Sequence, residues 1–430
     1  MSRKWNFLSL TFLVLVICVF GEDYAKYVPG KGALSIDSGD TSWMIVASAF
    51  VLLMTPGLAF FYGGMVNKKN VISTMLQSFV ALGVISVLWI TVGFSLCFGD
   101  SIGGIIGNPT THFAFNGVGL APNGDFASTI PFLLFSLFQL KFAIITPALI
   151  TGSFAGRIRF RSYILFMVLF SCVIYPPLAH MTWHPDGLLR NLGVLDFAGG
   201  TVVHMSAGFA ALAGALFLGK RKEIDDQPAN IPFVILGTGL LWFGWFGFNA
   251  GSAFAANADA VKAFANTNLA SATAMITWMF YDRFMNRKMS ALGACIGAIV
   301  GLVAITPAAG FVSLGHSMLI GFLAALAGNW AIRFQKKLAV DDTLDVFASH
   351  GVGGVVGMIL TGVLAEDVGL IHGKPDVFLM HLATLFGVAI FAFGGSYGLC
   401  AVVNAMIPMR VSSDQEQRGL DSSQHGEKLN

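Results

Sequence analysis

Charged side chains are scarce in this sequence. Asp, Glu, Lys and Arg make up 11% of its 430 residues, whereas a soluble globular domain carries about a quarter. Hydrophobic residues account for 55% of the chain, and its mean hydropathy is +0.74. So little charge and so much apolar surface are typical of a protein embedded in lipid.

The sequence also lacks the patterns of a disulfide framework, a metal site, an enzyme or a nucleic-acid-binding surface. Its cysteines lie singly in apolar stretches, without a C-x-x-C pair or a His at ligand spacing. We expect them to be packing residues, and we expect no metal or cofactor. The net charge of +2 comes without a basic block, which excludes nucleic acid as a partner. No H-E-x-x-H or nucleophile–base motif favours an enzyme.

The N-terminus is typical of a secretory signal. Two basic residues precede an apolar run at 7–20, and an acidic pair follows Gly21. The run has the length of a signal-peptide core and is short for a membrane span. We therefore predict a signal peptide at 1–21, a membrane domain at 22–406 and a cytoplasmic tail at 407–430. An uncleaved first helix is the alternative.

Apolar windows long enough to cross a bilayer predict an all-α polytopic protein of about eleven transmembrane helices. Lys and Arg concentrate in alternate loops, which places the N-terminus outside and the C-terminus in the cytoplasm. The windows lie near 43–63, 71–98, 128–150, 161–181, 197–219, 231–255, 265–283, 289–306, 311–333, 345–365 and 377–405.

An internal duplication links the two halves of the chain. LDFAGGTVVHMSAG (195–208) is echoed by LDVFASHGVGGVVG (344–357), and TPGLAFFYGG (55–64) more weakly by GWFGFNAGSA (244–253). Repeats offset by five helices must lie in opposite orientations in the membrane. We therefore predict inverted five-helix repeats, helices 1–5 and 6–10, with a substrate path near the midplane between them.

Two histidines at bilayer depth, His204 and His350, each follow an acidic residue in one of the two echoed strings. Ionisable groups there are costly unless they are paired or hydrated, so each is a functional candidate. Two neutral imidazoles that share one proton still present hydrogen-bonding groups to a small guest. The alternative is two unrelated histidines, each satisfied by a backbone carbonyl.

Acidic residues precede both histidines. Asp196 is expected to cap the amides that open the fifth helix, which also places a negative charge near the outer mouth. Asp345, with Asp341 and Asp342, is expected to cap the cytoplasmic start of the tenth helix.

A few aromatic residues are placed suggestively. Trp183 follows the fourth helix, where it belongs either to the interfacial belt or to a site that holds an ammonium-type cation over the indole face. Phe138 and Phe142 share one face of the third helix. Phe248 lies one turn before Ser252 in GWFGFNAGS.

Several strings resemble the signature of the ammonium transporter family (Amt/Mep/Rh), in its bacterial Amt form. They are DFAGGTVVH, GWFGFNAGS, GACIGAIVGLVAITPAAG, DDTLDVFASHGVGG and EQRGLDSSQHGE, and the resemblance runs from about residue 40 to the end. It implies a homotrimer of eleven-helix protomers, each with its own narrow pore, in the cell inner membrane. The tail string implies regulation by a P-II-type signalling protein at the cytoplasmic face.

The same resemblance implies roles for individual residues, with ammonium and ammonia as the substrate. It assigns Trp183, Phe142 and Ser252 to an outer ammonium site, Phe142 and Phe248 to a stacked gate, His204 and His350 to a proton relay, and Asp196 to structural support of the outer site.

Lys141 departs from the family pattern, because a small polar residue is expected beside Phe142. Helix geometry turns it about 100° away from Phe142, so it pairs with an acid, reaches the membrane surface or loses its proton by burial. We hypothesise that Lys141 lowers or tunes transport. It mildly favours the alternative function, an ammonium sensor with the same fold, whereas the absence of a fused kinase or cyclase disfavours it.

Overall fold

The fold is almost entirely helical. A computed structural model describes residues 3–21, 34–225, 227–338 and 340–429, with only the backbone of residues 3–10. The first eleven helices are α1 Arg3–Phe20, α2 Ser38–Met65, α3 Val71–Phe79, α4 Ala81–Leu88, α5 Phe94–Phe98, α6 Phe132–Phe154, α7 Phe160–Val173, α8 Tyr175–Trp183, α9 Leu188–Asn191, α10 Ser206–Leu218 and α11 Ile231–Ala250. The remaining six are α12 Ala258–Phe284, α13 Ala291–Ile305, α14 Leu314–Lys337, α15 Gly353–Leu364, α16 Pro375–Met406 and α17 Ser413–Arg418.

Short 3-10 and π-helical turns accompany these helices, and several of them join neighbouring helices into longer rods. The 3-10 turns are Lys68–Asn70, Phe113–Phe115, Gly251–Ala253, Thr306–Ala308 and Leu370–His372, and the π turns are Trp89–Gly93, Gly200–Met205, Phe347–Val352 and Asp421–His425.

Within the described residues, ten continuous helical runs are long and apolar enough to cross a membrane, so the chain is a multi-pass membrane protein. They are Ser38–Met65, Lys68–Phe98, Phe132–Phe154, Phe160–Asn191, Gly200–Leu218, Ile231–Ala253, Ala291–Ala308, Leu314–Lys337, Phe347–Leu364 and Pro375–Met406.

The predicted window at 265–283 lies in α12, which is not among those ten runs. Its 27 residues are long enough to span, but their composition is more polar. Some of that polarity is used inside the bundle: the Asn266 amide donates to the carbonyls of Ala309 and Val312 at 2.9 and 2.8 Å. The count of eleven spans therefore stays a prediction.

The proposed signal sequence forms the helix α1, and residues 22–33, which follow the predicted cleavage point, lie outside the described residues. Cys18 in α1 is exposed, so the packing prediction is wrong for this residue. It holds for the buried Cys97, Cys295 and Cys400, while Cys172 is half-buried.

Two antiparallel strand pairs lie in the segment between α5 and α6. Strand β1 (Ser101–Ile102) pairs with β2 (Ile106–Gly107), and β3 (Pro122–Asn123) with β4 (Ala127–Pro131). In the first pair Ser101 lies opposite Gly107. The second pairs Pro122 with Pro131 and has an irregular register.

The repeat-related helices α2 and α11 pack along one another at close range. A methyl group on Gly237 would lie 2.3 Å from the backbone nitrogen of Phe61, so only glycine permits this approach. Both histidines lie in π-helical turns, His204 in Gly200–Met205 and His350 in Phe347–Val352. The two echoed strings thus adopt the same uncommon backbone.

Candidate functional site

A cavity of about 410 Å³ opens at one end of the bundle, lined among others by Trp183, Phe142, Ser252 and Asp196. These include all the residues that the sequence assigned to an outer site. The indole of Trp183 lies edge-on to the ring of Phe142, with ring centroids 5.7 Å apart. Arg190, which the sequence reasoning passed over, also lines the cavity and donates to the carbonyl of Trp183 at 3.0 Å.

Asp196 lies against the start of the π turn that carries His204. Its Oδ1 accepts from the amides of Gly199 and Gly200 at 2.8 and 2.6 Å. Its Oδ2 accepts from the amide and the hydroxyl of Thr201 at 2.8 and 2.5 Å. Four donors occupy the roughly four lone-pair positions of a carboxylate, so Asp196 caps the helix, as predicted, and has no oxygen free to bind a cation directly.

Asp196 also orients the tryptophan. The indole nitrogen of Trp183 donates to the backbone carbonyl of Asp196 at 3.2 Å. This bond fixes the indole plane at the cavity wall, where its face is available to a cation. The side chain of Asp196 therefore holds the helix start while its backbone carbonyl holds the aromatic wall.

Two stacked rings close the floor of the cavity. The centroids of Phe142 and Phe248 are 4.1 Å apart with an angle of 26° between the planes, and both side chains are buried. Phe138 supports Phe142 from one turn away at 5.0 Å. The hydroxyl of Ser252 donates to the Phe248 carbonyl at 2.9 Å, so the oxygen lone pairs of Ser252 remain available as acceptors.

The two histidines meet directly behind these stacked rings. His350 Nδ1 lies 3.3 Å from His204 Nδ1, a hydrogen bond between residues 146 positions apart in the chain. The ring centroids are 5.4 Å apart, and both side chains are buried. The alternative of two unrelated histidines is therefore wrong.

The space beside the pair is small and apolar. A cavity of about 10 Å³ is bounded by both histidines, by Phe248 and otherwise mainly by aliphatic side chains such as Ile145 and Leu241. That volume is close to the lower limit for one water-sized molecule. Its walls offer a bare cation few groups to replace its hydration shell, whereas a neutral molecule with one or two hydrogen bonds fits there at lower cost.

Two polar residues beside the pair were missed by the sequence reasoning. The indole nitrogen of Trp245 donates to Thr306 Oγ1 at 2.9 Å, and the same oxygen lies 3.3 Å from His204 Nε2. The Trp245 indole also stacks on the His204 ring, with centroids 5.3 Å apart. A signal was present, because Thr306 places a hydroxyl directly before Pro307 at the end of a long apolar run.

A second cavity, of about 310 Å³, lies at the opposite end of the bundle and is lined by Arg221, Asp341, Asp342 and other charged residues. Asp342 accepts from the amide of Phe347 at 2.7 Å and so caps the tenth helix, as predicted. The same prediction is wrong for Asp341, which instead holds Arg221 in a double contact at 2.8 and 3.0 Å. A nearby guanidinium therefore outcompetes the helix amides for Asp341.

Arg157 is buried beside this ion pair. Its NH1 lies 3.9 Å from Asp341 Oδ2, and its NH2 donates to the Asp341 carbonyl at 2.5 Å. Burial lowers the pKa of Arg157 to about 10, although Asp341 opposes that change. Burial would raise the pKa of Asp341, but the hydrogen bonds from Arg221 and the charge of Arg157 outweigh it, so the pKa of Asp341 lies below its usual value.

Lys141 is half-buried on α6. In the part of the chain that the structure describes, Lys141 makes no ion pair and does not line the outer cavity. Pairing with an acid, one of the three outcomes expected from the sequence, therefore does not occur among these residues.

Comparison with known proteins identifies the family. The model of the "Ammonium Transporter Family" matches residues 42–429. An ammonium transporter of Aquifex aeolicus is 45% identical over 427 residues, which are 98% of this chain and 99% of the relative. The crystal structure of Saccharomyces cerevisiae Mep2 superposes with a TM-score of 0.83 at 35% identity over 88% of both chains. A structure described as a sensor Amt protein gives 0.84 at 30% identity, over 90% of this chain and 98% of that one.

Proposed function

The chain belongs to the ammonium transporter family, a family of transporters rather than enzymes, and we propose that it takes up ammonium by separating the ion from its proton. Ammonium is recruited at Trp183, Phe142 and Ser252, loses a proton, and crosses the gate as ammonia. The proton is relayed through His204 and His350. The observation that carries this proposal is the pair of imidazoles 3.3 Å apart behind a closed aromatic gate.

The physical basis is selectivity against potassium, which has nearly the size of ammonium. A water-filled pore would pass both ions, but only ammonium is able to give up a proton and continue as a neutral molecule. The aromatic faces and the Ser252 oxygen replace part of the hydration shell of the ion. The apolar cavity beyond Phe142 and Phe248 then favours the neutral form.

Current measurements on the purified protein in liposomes test the proposal. An ammonium pulse is expected to produce an inward positive current that an equal potassium pulse does not produce. The His204→Ala variant is expected to lose this current, because the relay is broken. A potassium current of the same size, or an undiminished current in a folded His204→Ala protein, would contradict the mechanism.

A sensor is the second candidate, because the chain also resembles the structure described as a sensor Amt protein. A sensor would bind ammonium at the same outer cavity and report occupancy with little or no transport. Ammonium-dependent thermal stabilisation without current would favour this reading. Stabilisation together with current favours the transporter.

For the cellular setting we propose an inner-membrane protein with the N-terminus outside after removal of residues 1–21 and with the C-terminus in the cytoplasm. The asymmetry of Lys and Arg between alternate loops supports this orientation. N-terminal sequencing of the mature protein tests cleavage. Labelling of a single cysteine introduced into 407–430, in sealed cells and in inverted vesicles, tests the side of the tail.

The homotrimer and the P-II-type partner are proposals that rest on family resemblance. Mass measurement of the protein in detergent tests the trimer. Binding of a P-II protein to inverted vesicles, with and without residues 407–430, tests the partner. Loss of binding on removal of the tail is the expected result.

A further inference from the structure

The hydroxyl of Thr306 stands at the centre of a hydrogen-bond chain that ends at the histidine pair. Its oxygen accepts from the Trp245 indole at 2.9 Å. Its hydrogen goes to the carbonyl of Leu302 at 2.8 Å. This second bond has a local cause: the α13 helix tightens at its end, and the Thr306 amide bonds to Val303 rather than to Leu302. The hydroxyl therefore supplies a donor to a buried carbonyl from which the usual helical amide has been diverted.

A hydroxyl has one hydrogen and two lone pairs. The Thr306 hydroxyl donates its hydrogen to the Leu302 carbonyl, and one of its lone pairs accepts from Trp245. Thr306 Oγ1 therefore offers only its second lone pair to His204 Nε2, 3.3 Å away. That contact is a hydrogen bond only if Nε2 carries the hydrogen. We propose that Thr306 is a positioning residue that holds His204 in the Nε2–H tautomer.

The state of His350 follows from the same accounting. In neutral His204 with hydrogen on Nε2, Nδ1 is bare and accepts. The contact of 3.3 Å between the two Nδ1 atoms then requires His350 Nδ1 to donate. Neutral His350 therefore has a bare Nε2, which is the one imidazole nitrogen of the pair left to accept from a guest in the apolar cavity.

This pattern opposes proton leakage, a consequence that rests on the proposed function. A proton moving inward would enter the pair at His204 Nε2, which already carries a hydrogen. Entry first requires the His204 hydrogen to move to Nδ1 and the His350 hydrogen to move to Nε2, and that reversal breaks the bond to Thr306. The threonine therefore slows inward proton passage through the pair whenever His204 is in the Nε2–H tautomer.

The tautomers are measured directly by nitrogen-15 NMR of the histidine-labelled protein in lipid. The pair is identified by the coupling across the hydrogen bond between the two Nδ1 atoms. The expected result is a hydrogen on His204 Nε2 and on His350 Nδ1. The opposite pattern, or an equal mixture in the wild-type protein, overturns the inference. This measurement needs no transport, so its failure is distinct from failure of the proposed function.

Variants test the leak. Thr306→Val keeps the side-chain shape without the acceptor, so it is expected to mix the two tautomers of His204. It is also expected to raise proton leak into ammonium-free liposomes about fivefold, the factor that corresponds to the free energy of one typical buried hydrogen bond. Thr306→Ser is expected to restore both readouts. The control is Thr361→Val, since the buried Thr361 hydroxyl likewise donates to a carbonyl one turn back, at 2.8 Å. Equal leak in the two valine variants, or unchanged tautomers in Thr306→Val, overturns the proposal.

Discussion

Gly208 lies against Gly351 so closely that a methyl group on Gly208 would come within 2.2 Å of the Gly351 nitrogen. This crossing brings together the segments that carry the two histidines, and Gly351 follows His350 directly in the chain. The contact between the two imidazoles therefore depends on the absence of a side chain one turn beyond His204.

We predict that Gly208→Ala lowers ammonium-driven current at least tenfold, because the backbones must separate and the 3.3 Å contact between the imidazoles is lost. The matched control is Gly387→Ala in α16, where an added methyl group meets nothing within 4 Å. Current and thermal unfolding are measured for both variants. A folded Gly208→Ala protein with wild-type current would show that the approach of the two glycines does not control the pair.

The pairing of His204 with His350 could be predicted from the sequence because the repeat places each in the same local string. The partner of His204 on its other side could not be predicted in this way. Trp245 lies in an echoed string, but that string is paired with 55–64 and not with a segment that carries a histidine, and Thr306 lies outside the echoed strings. Only the packing of α11 and the end of α13 brings these two residues to the ring. The π-helical turns likewise leave no periodic signal, since they arise from one extra residue in a helical turn.

Lys141 is predicted to weaken uptake at low ammonium, because it neighbours Phe142 in α6 and its positive charge, although outside the cavity lining, opposes a cation in the outer cavity. Lys141→Ser is expected to increase uptake severalfold at low ammonium and to change it little at saturation. Lys141→Arg is the matched control, since it keeps the charge and should leave uptake near that of the wild type. Equal uptake by the Ser and wild-type proteins at low ammonium would contradict the prediction.

Asp341 is predicted to be critical for folding, because it faces two guanidinium groups and one of them, Arg157, is buried. Asp341→Asn leaves that cation without its counter-charge, at a cost of roughly 3–5 kcal/mol. The midpoint temperature of thermal unfolding should fall steeply for this variant. It should fall much less for Asp414→Asn, whose carboxylate pairs with Arg418 at the exposed surface. Similar losses in the two variants would argue against the buried ion pair.

The pH dependence of Asp341 follows from its lowered pKa. The folded protein binds this proton less readily than the unfolded chain, so the stabilisation is fully present above the ordinary pKa of an aspartate. It is lost as the pH falls through the lower folded pKa.

Asp342 is predicted to act with the opposite sign. Burial raises its pKa, against the amide hydrogen bonds of Phe347 and Val346, which lower it. The folded protein therefore holds the proton more tightly than the unfolded chain. The contribution of Asp342 to the stability of the fold is therefore complete below the ordinary pKa of an aspartate, and it is lost as the pH rises through the raised pKa of the folded protein.

Asp342→Asn should remove that part of the pH dependence. Among the described residues, Asp342 Oδ1 and Gln335 Oε1 are buried without hydrogen-bond partners, and an asparagine amide is able to keep the Phe347 cap while it donates to Gln335. Thermal midpoints between pH 4 and 8 should vary less for the variant than for the wild type. An unchanged pH profile would mean that Asp342 does not titrate in this range.

The tail is predicted to be held on the membrane domain by Asp421. Its two oxygens accept from the amides of Ser73 and Ile72 at 2.7 and 3.0 Å, in the first turn of α3, where backbone donors have no helical partner. Losing such a cap typically costs about 1 kcal/mol, or roughly fivefold in the undocked population. Asp421→Ala should therefore speed limited proteolysis of 407–430 by about that factor, whereas Asp414→Ala in the same tail should not. Equal cleavage rates for the two variants would place the anchor elsewhere, for example at the bond of 2.9 Å from the Leu420 amide to the Asn70 side chain.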